Sequence, residues 1–150
     1  MALTPDFDAF EAAYAAGRNQ IVYTRLAADL DTPVSLMLKL TGAQIDAFVL
    51  ESVTGGEVRG RYSIIGMKPD LVWRCRGETS EVNRAARYDA TAFEPMQGNP
   101  LDALRALIDE SRIDLPEDLP QAAAGLFGYL GYDMVRLVEH LPHINPDPLN

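Results

Sequence analysis

The sequence predicts an α+β fold with a mixed, mostly antiparallel sheet and flanking helices. Segments with helical start signals are interspersed with β-branched segments, glycine-rich turns separate neighbouring strands, and the regular βαβ alternation of a doubly wound sheet is missing. With 150 residues, 47% of them hydrophobic and 23% charged, the chain is long enough for a compact core. One domain spanning residues 1–150 is therefore expected.

Three helices are predicted from their start signals. Each signal is a Thr or Asn followed by Pro, at Thr4-Pro5, Thr32-Pro33 and Asn99-Pro100. The first helix is expected to end by Gly17, since glycine commonly stops a helix. Helical spacing assigns the apolar face of the third helix to Leu101, Leu104 and Ile108.

β-branched and aromatic composition predicts extended segments at residues 20–26, 47–53, 62–66, 71–76 and 81–88. Glycines between the second and third supply the positive φ angles of a tight hairpin, so an antiparallel meander is the simplest arrangement. The run at 125–131 has a glycine at every third position but lacks the spacing of a phosphate loop. It predicts a buried strand against which another backbone packs closely. Residues 132–140 are predicted to be helical.

Charge and cysteine content exclude several classes of function. The net charge is −9 and the acidic residues are scattered, so no basic surface for nucleic acid is expected. Cys75 is the lone cysteine, which leaves no disulfide and no metal-binding pair, and it is interpreted as a packed strand residue. The sequence shows no signal-peptide pattern and no stretch long enough to span a membrane. A cytoplasmic protein that does not bind membranes is expected.

The sequence offers no catalytic constellation and no metal site. The two histidines, His140 and His143, are not set in a pattern that pairs either with a nucleophile. Acidic pairs are interpreted as solvated faces, namely Asp109 with Glu110 and Glu117 with Asp118. We therefore assign no catalytic residue and no metal ligand to this chain.

The strongest candidate for ligand binding is the end of the strand Leu50-Glu51-Ser52, just before the glycine hairpin. Backbone groups and the Ser52 hydroxyl offer hydrogen bonds there, and Glu51 could meet an ammonium group. Tyr62 returns on the second arm, near the same end. The alternative is that Glu51 faces solvent and Ser52 simply begins the turn.

Two motifs resemble one known family. The combination of Leu50-Glu51-Ser52, the hairpin and residues 60–66 (GRYSIIG) is similar to the N-terminal signature of chorismate-utilising enzymes, especially anthranilate synthase component I. Residues 125–133 (GLFGYLGYD) resemble a glycine–tyrosine segment of that family. The resemblance extends over nearly the whole chain and implies the N-terminal part of a larger, two-domain αββα sandwich.

The resemblance implies a regulatory role. In this family the Leu-Glu-Ser strand belongs to the feedback site that binds L-tryptophan. Carried over by position, this role falls to Ser52 first, then to Leu50 and Glu51, and last to Tyr62. The family converts chorismate and ammonia, delivered from glutamine by a separate amidotransferase subunit, into anthranilate and pyruvate with Mg²⁺. Its catalytic and magnesium residues lie in a C-terminal domain that these 150 residues do not include, so the chain alone is expected to be inactive. Its exposed apolar surface is expected to favour self-association.

Three alternatives remain open at the level of sequence. The large subunit of aminodeoxychorismate synthase shares the fold and can retain a tryptophan pocket. A stand-alone module that binds an amino acid would need no enzyme attached. A structural lobe whose hairpin binds nothing would fit the same secondary structure.

Overall fold

The computed structural model describes residues 2–42, 44–51, 62–142 and 144. The chain divides into two compact units, the first formed by Met1–Asp70 and Arg112–Gly125, the second by Leu71–Ser111 and Leu126–Asn150. Helices occur with small antiparallel sheets, which confirms the predicted α+β class. Two such units can be parts of one domain, so the single-domain assignment stays a prediction.

The first unit begins with helix α1, Phe7–Ala15. Its N-cap is Asp6, whose carboxylate accepts a hydrogen bond from the Ala9 amide at 2.9 Å. The predicted cap at Thr4 is wrong, because the Thr4 backbone instead exchanges two hydrogen bonds with Tyr23 in an isolated antiparallel bridge. That bridge is the only β pairing of residues 20–26 among the described residues, so the predicted strand there is also wrong.

Helix α2, Pro33–Thr41, follows the predicted start signal. A capping box closes its first turn, since the Thr32 hydroxyl accepts from the Ser35 amide and the Ser35 hydroxyl accepts from the Thr32 amide. Asp31 lies just before the helix and forms an ion pair with Lys39 at 2.5 Å. These contacts fix the start of the helix, and α2 packs against both strands of the following hairpin.

The hairpin consists of β1, Phe48–Leu50, and β2, Ile64–Gly66, paired antiparallel with Leu50 opposite Ile64 and Phe48 opposite Gly66. Both strands were predicted, although each is shorter than expected. A side chain at position 66 would place its Cβ 2.2 Å from the Phe48 ring, so any residue other than glycine would require that ring to move. The Phe48 ring therefore lies directly over the backbone of the opposite strand.

The second unit contains a three-stranded antiparallel sheet in the order β3, Val72–Arg76; β4, Thr79–Asn83; and β5, Glu94–Met96. The prediction of a strand at 81–88 is wrong at both ends. The chain turns after Asn83, whose side-chain oxygen accepts from the Ala85 amide while its nitrogen donates to the Asp89 carbonyl. Strand β5 was missed because it has three residues and a proline at its centre.

Helix α3, Pro100–Glu110, begins where Asn99 predicts, and the Asn99 side chain accepts from the Leu101 amide at 2.8 Å. It packs against β4, and the buried apolar residues of the described chain are Val82, Ala103 and Leu107. The predicted apolar face is therefore wrong in part, since Ile108 is 48% exposed and the helix is rotated to bury small Ala103 against the sheet.

The predicted buried strand at 125–131 is wrong. No β ladder includes these residues among those described, and large apolar side chains such as Tyr129 are exposed. A Cβ added at Gly128 or Gly131 would meet no atom within 4 Å, so no backbone packs closely there. The next segment is helical, as predicted, but it is a 3-10 helix at Tyr132–Leu137. In the part of the chain that the structure describes, no helix is long and apolar enough to cross a membrane.

Candidate functional site

The predicted ligand site lies at the exposed end of the β1–β2 hairpin. Leu50 ends β1 and is 50% exposed, and Glu51 follows it with an exposed side chain. Tyr62 lies two residues before the start of β2 and is 52% exposed. Ser52, the first-ranked candidate, lies outside the described residues, as does Arg61.

Strand pairing brings three of the four candidates to one region. Leu50 is paired with Ile64, two residues after Tyr62, so the returning chain carries Tyr62 back towards Leu50 and Glu51. Glu51 directly follows Leu50, the last residue of β1, so the strand end offers an apolar side chain and a carboxylate at neighbouring positions. Such a strand end can contact both the apolar part and the ammonium group of an amino acid.

The opposite end of the hairpin is anchored. The Phe48 ring covers Gly66, and α2 packs on both strands. Thr41, at the end of α2, is buried and its hydroxyl donates to the Met37 carbonyl at 2.8 Å. The candidate site is therefore the exposed end of a hairpin whose other end is held by α2 and by the Phe48 ring.

Sequence reasoning missed a second polar cluster in the same unit, formed by Tyr23, Arg25 and Asp118. The Tyr23 hydroxyl lies 3.0 and 2.8 Å from the two Asp118 carboxylate oxygens, and Arg25 donates to one of these oxygens and to the Asp118 carbonyl, both at 2.8 Å. The hydrogen bond to Asp118, reinforced by its charge, raises the pKa of Tyr23.

Asp118 is exposed, as the sequence interpretation expected, but it is also paired. Tyr23 and Arg25 are two residues apart in an extended segment, so they share a face, and this spacing was the available signal for a common partner. Glu110 was likewise interpreted as solvated, yet both of its carboxylate oxygens accept from the Arg84 guanidinium, which lowers the pKa of Glu110. Both acids are exposed, but both are paired.

The sheet of the second unit has one face towards its core, where Trp73, Cys75, Ser80 and Val82 lie in register. Cys75 occupies β3 as predicted, its thiol donates to the Gly77 carbonyl, and burial raises its pKa. The Trp73 indole nitrogen and the Ser80 hydroxyl are buried without a hydrogen-bond partner among the described residues.

The other face of this sheet is charged. Arg74 forms an ion pair with Glu81, its cross-strand partner, at 2.5 Å. The Arg74 guanidinium also lies 3.6 Å from the centre of the Phe93 ring, an arrangement typical of a cation–π contact. These contacts cover the face without forming a cavity or a nucleophile–base pair.

No group of three or more His, Cys, Asp or Glu side chains among the described residues is arranged to hold a metal ion. His140 is exposed at the end of the second unit, and His143 lies outside the described residues. Asp31, Glu81, Glu110 and Asp118 are each paired with a lysine or an arginine rather than converging with one another.

Comparison with known proteins was made for the whole chain. No protein-family model matches it, and no solved structure matches it. Over 143 residues, 95% of its length, it is 70% identical to anthranilate synthase component 1 of Cereibacter sphaeroides. This chain is a homologue of anthranilate synthase component 1. The resemblance inferred from the hairpin and the glycine–tyrosine motif is thereby confirmed.

More distant relatives carry the same name. Anthranilate synthase component 1 of a Synechocystis strain is 40% identical over 149 residues, and that of Neisseria gonorrhoeae is 39% identical over 137 residues, covering 97% and 89% of this chain. The chain spans less than a third of the length of these relatives, 29%, 28% and 26% in the order given. The match therefore accounts for almost all of this chain and a minor part of anthranilate synthase component 1.

Proposed function

We propose that this chain is the N-terminal, regulatory part of an anthranilate synthase large subunit and carries part of an L-tryptophan feedback site. The observation that carries the proposal is the 70% identity to anthranilate synthase component 1 along 95% of the chain. The chain spans 29% of the length of that relative, so it is proposed as one part of a longer protein. The chain would belong to a larger cytoplasmic αββα protein.

The tryptophan site is proposed at the free end of the β1–β2 hairpin, with Ser52, Glu51, Leu50 and Tyr62 as its contacts. Support comes from the exposure of Leu50 and Tyr62 at 50% and 52%, which leaves apolar surface for an indole ring. The Glu51 carboxylate is exposed beside Leu50 and would pair with the ligand ammonium. Another part of the longer protein would complete the pocket.

The activity proposed for the longer protein is the conversion of chorismate and ammonia into anthranilate and pyruvate. A glutamine amidotransferase subunit would supply the ammonia. Mg²⁺ would be held by residues outside this chain, since its described carboxylates form no group that fits a metal ion. The 150-residue chain alone is expected to form no anthranilate.

Calorimetry with L-tryptophan tests the site in the longer polypeptide that contains this chain. Ser52→Phe should abolish detectable binding, because a ring at the strand end would occupy the volume of the ligand. Leu38→Ala is the control: it removes exposed apolar surface from α2 in the same unit, and Leu38 is not among the proposed contacts. It should leave the affinity unchanged within about twofold.

Unchanged affinity in the Ser52→Phe protein would overturn the site assignment. Anthranilate fluorescence measured on the same proteins tests the activity separately, because the Ser52→Phe enzyme should still form anthranilate while escaping inhibition by L-tryptophan. Formation of aminodeoxychorismate in place of anthranilate would overturn the proposed activity and leave the binding result standing.

A further inference from the structure

Two buried polar atoms of the second unit have no hydrogen-bond partner among the described residues. They are the Trp73 indole nitrogen and the Ser80 hydroxyl oxygen, and Ser80 is only 4% exposed. Both atoms carry a hydrogen to donate, and a buried donor without a partner has lost its bonds to bulk water without replacing them. Most buried side-chain polar atoms bond a protein group or an ordered water. The two atoms therefore indicate a partner that the described side chains and backbone do not supply.

The two side chains lie on one face of the sheet. In the antiparallel pair of β3 and β4, Trp73 is opposite Val82 and Cys75 is opposite Ser80. Alternate residues of a strand share a face, so Ser80 is diagonal to Trp73 on that face. Diagonal neighbours are about 7–8 Å apart, which is within reach of an aromatic side chain. The indole nitrogen and the hydroxyl do not bond each other, and one small molecule between them could bond both.

Cys75 adds a weak acceptor to the two donors. It lies on the same face, two residues after Trp73 and directly opposite Ser80. Its thiol donates to the Gly77 carbonyl at 3.4 Å, so the sulfur keeps its lone pairs for a weak hydrogen bond. A metal ion is unsuitable for these groups, because the indole nitrogen offers a hydrogen and no lone pair. Water both accepts and donates, and buried waters make about three hydrogen bonds to otherwise unsatisfied groups.

We propose that Trp73, Cys75 and Ser80 hold one internal water molecule on the core face of the sheet. The Trp73 indole and the Ser80 hydroxyl donate to the water oxygen, and the water donates one of its hydrogens to the Cys75 sulfur. The water thereby joins side chains of β3 and β4. It accounts for a serine at a buried position beside the apolar Val82. The proposal concerns the second unit alone and does not depend on the tryptophan site.

A crystal structure of the 150-residue chain that shows ordered water tests the proposal directly. One oxygen should lie within about 3.2 Å of both the Trp73 Nε1 atom and the Ser80 Oγ atom. The water should be present in every copy of the chain in the crystal, because it bonds groups inside the unit rather than a neighbouring molecule. The absence of this oxygen, a direct bond between the indole and the hydroxyl, or another group of the chain bonded to both of them would overturn the proposal.

A double-mutant cycle tests the water in solution. Ser80→Ala and Trp73→Phe each remove one donor, so each should lower the midpoint of urea unfolding. The double variant should lose less than the two single variants together, because a water lost in either one cannot be lost twice. This coupling should change the unfolding equilibrium constant by at least about twofold. Circular dichroism follows the transition, since Trp73→Phe removes the one indole of the sequence.

Thr79→Ala is the matched control for Ser80→Ala. Thr79 carries a hydroxyl on the same strand but on the opposite face, and this hydroxyl donates to the Arg76 carbonyl. The effect of Thr79→Ala should add to that of Trp73→Phe without coupling. A higher urea midpoint in Ser80→Ala would show that the hydroxyl is buried without a partner and would overturn the proposal. Strictly additive effects of Ser80→Ala and Trp73→Phe would overturn it as well.

Discussion

Side-chain hydrogen bonds join distant parts of the first unit, and those of the Asp118 carboxylate are the clearest case. It accepts from Tyr23 and Arg25, which are about 95 residues away along the chain. The pattern of residues 20–26 predicted a strand, of which the described residues form only the bridge between Tyr23 and Thr4, and the partner of the Tyr23 hydroxyl could not be predicted. An aspartate in an irregular connector carries no local signal of which distant hydroxyl it meets.

The Tyr23 phenol gives a direct test of this contact. Replacing Asp118 with Asn should lower the pKa of Tyr23, because the carboxylate that stabilises the protonated phenol is gone. ¹³C NMR of labelled tyrosine resolves Tyr23 from the other tyrosines in a titration above pH 9. Glu117→Gln, which neutralises the adjacent acid, should leave the pKa of Tyr23 where it is. An identical Tyr23 titration in wild type and Asp118→Asn would contradict the contact.

A substitution at Asp31 tests how the stability of the folded chain depends on pH. The hydrogen bonds that Asp31 accepts from Lys39 and Ser35 lower its pKa, so the folded state binds this proton less readily than the unfolded chain does. The contacts of Asp31 therefore contribute their full stabilisation above its pKa in the unfolded chain, about 3.9. This stabilisation is lost as the pH falls through its pKa in the folded state.

Urea unfolding at pH 6 and pH 3 should therefore show that Asp31→Asn reduces stability more at pH 6 than at pH 3. Asp29→Asn, an exposed neighbour, should have little effect at either pH. If Asp31→Asn were equally destabilising at both values, the ion pair with Lys39 would not be the cause.

Among the helices and strands, the sequence predicted those whose starts and turns depend on residues that are neighbours in the chain. The starts of α2 and α3 follow from Thr32 and Asn99, whose side chains satisfy amides within the next three residues. The β1–β2 hairpin follows from two apolar runs around glycines. The errors concern non-local choices: the bridge partner of Tyr23, the rotation of α3, and the turn at Asn83, which depends on a bond to Asp89.

From the turn at Asn83 we predict which of two variants, Asn83→Ala or Asn99→Ala, is the less stable. Asn83 is fully buried and bonds Ala85 and Asp89, so Asn83→Ala should destabilise the second unit by about 2 kcal/mol, because two part-buried backbone groups lose their partners. Asn99→Ala removes a single exposed cap bond and should cost about 1 kcal/mol. Urea unfolding of both variants measures the order, and a larger loss in Asn99→Ala would show that the turn is not a main source of stability.

The molecule as a whole exposes an unusual amount of apolar surface. In the first unit Phe7, Tyr14, Leu30 and Leu38 are all largely exposed, and the buried apolar residues described are few. Large exposed apolar patches mark interaction surfaces. Such surface is expected of a chain that matches less than a third of its longer relatives.

Self-association of the 150-residue chain follows from this surface. Sedimentation should show an average mass that rises with concentration, and more steeply at 0.5 M than at 0.05 M salt, because salt screens the net charge of −9. The longer polypeptide should show less of this salt-dependent association under the same conditions. A strictly monomeric 150-residue chain at high salt would contradict the prediction.

The site was less predictable than the fold. Leu50, Glu51 and Tyr62 could be selected because a strand, a turn and a returning strand are local patterns, and the structure places them around one strand end. The residues that would close over a ligand there belong to no local pattern in this chain. When distant segments form a pocket together, the sequence of one segment indicates only the lining residues that this segment contributes.

Trp73 gives the molecule an optical property that separates its two units. It is the one tryptophan in the sequence, and it lies in β3 of the second unit with its indole nitrogen shielded from solvent. The emission of the folded chain should therefore be blue-shifted and should report on the second unit, while the hairpin in the first unit contributes no indole signal. A change in the hairpin that shifts this emission would reveal communication between the two units.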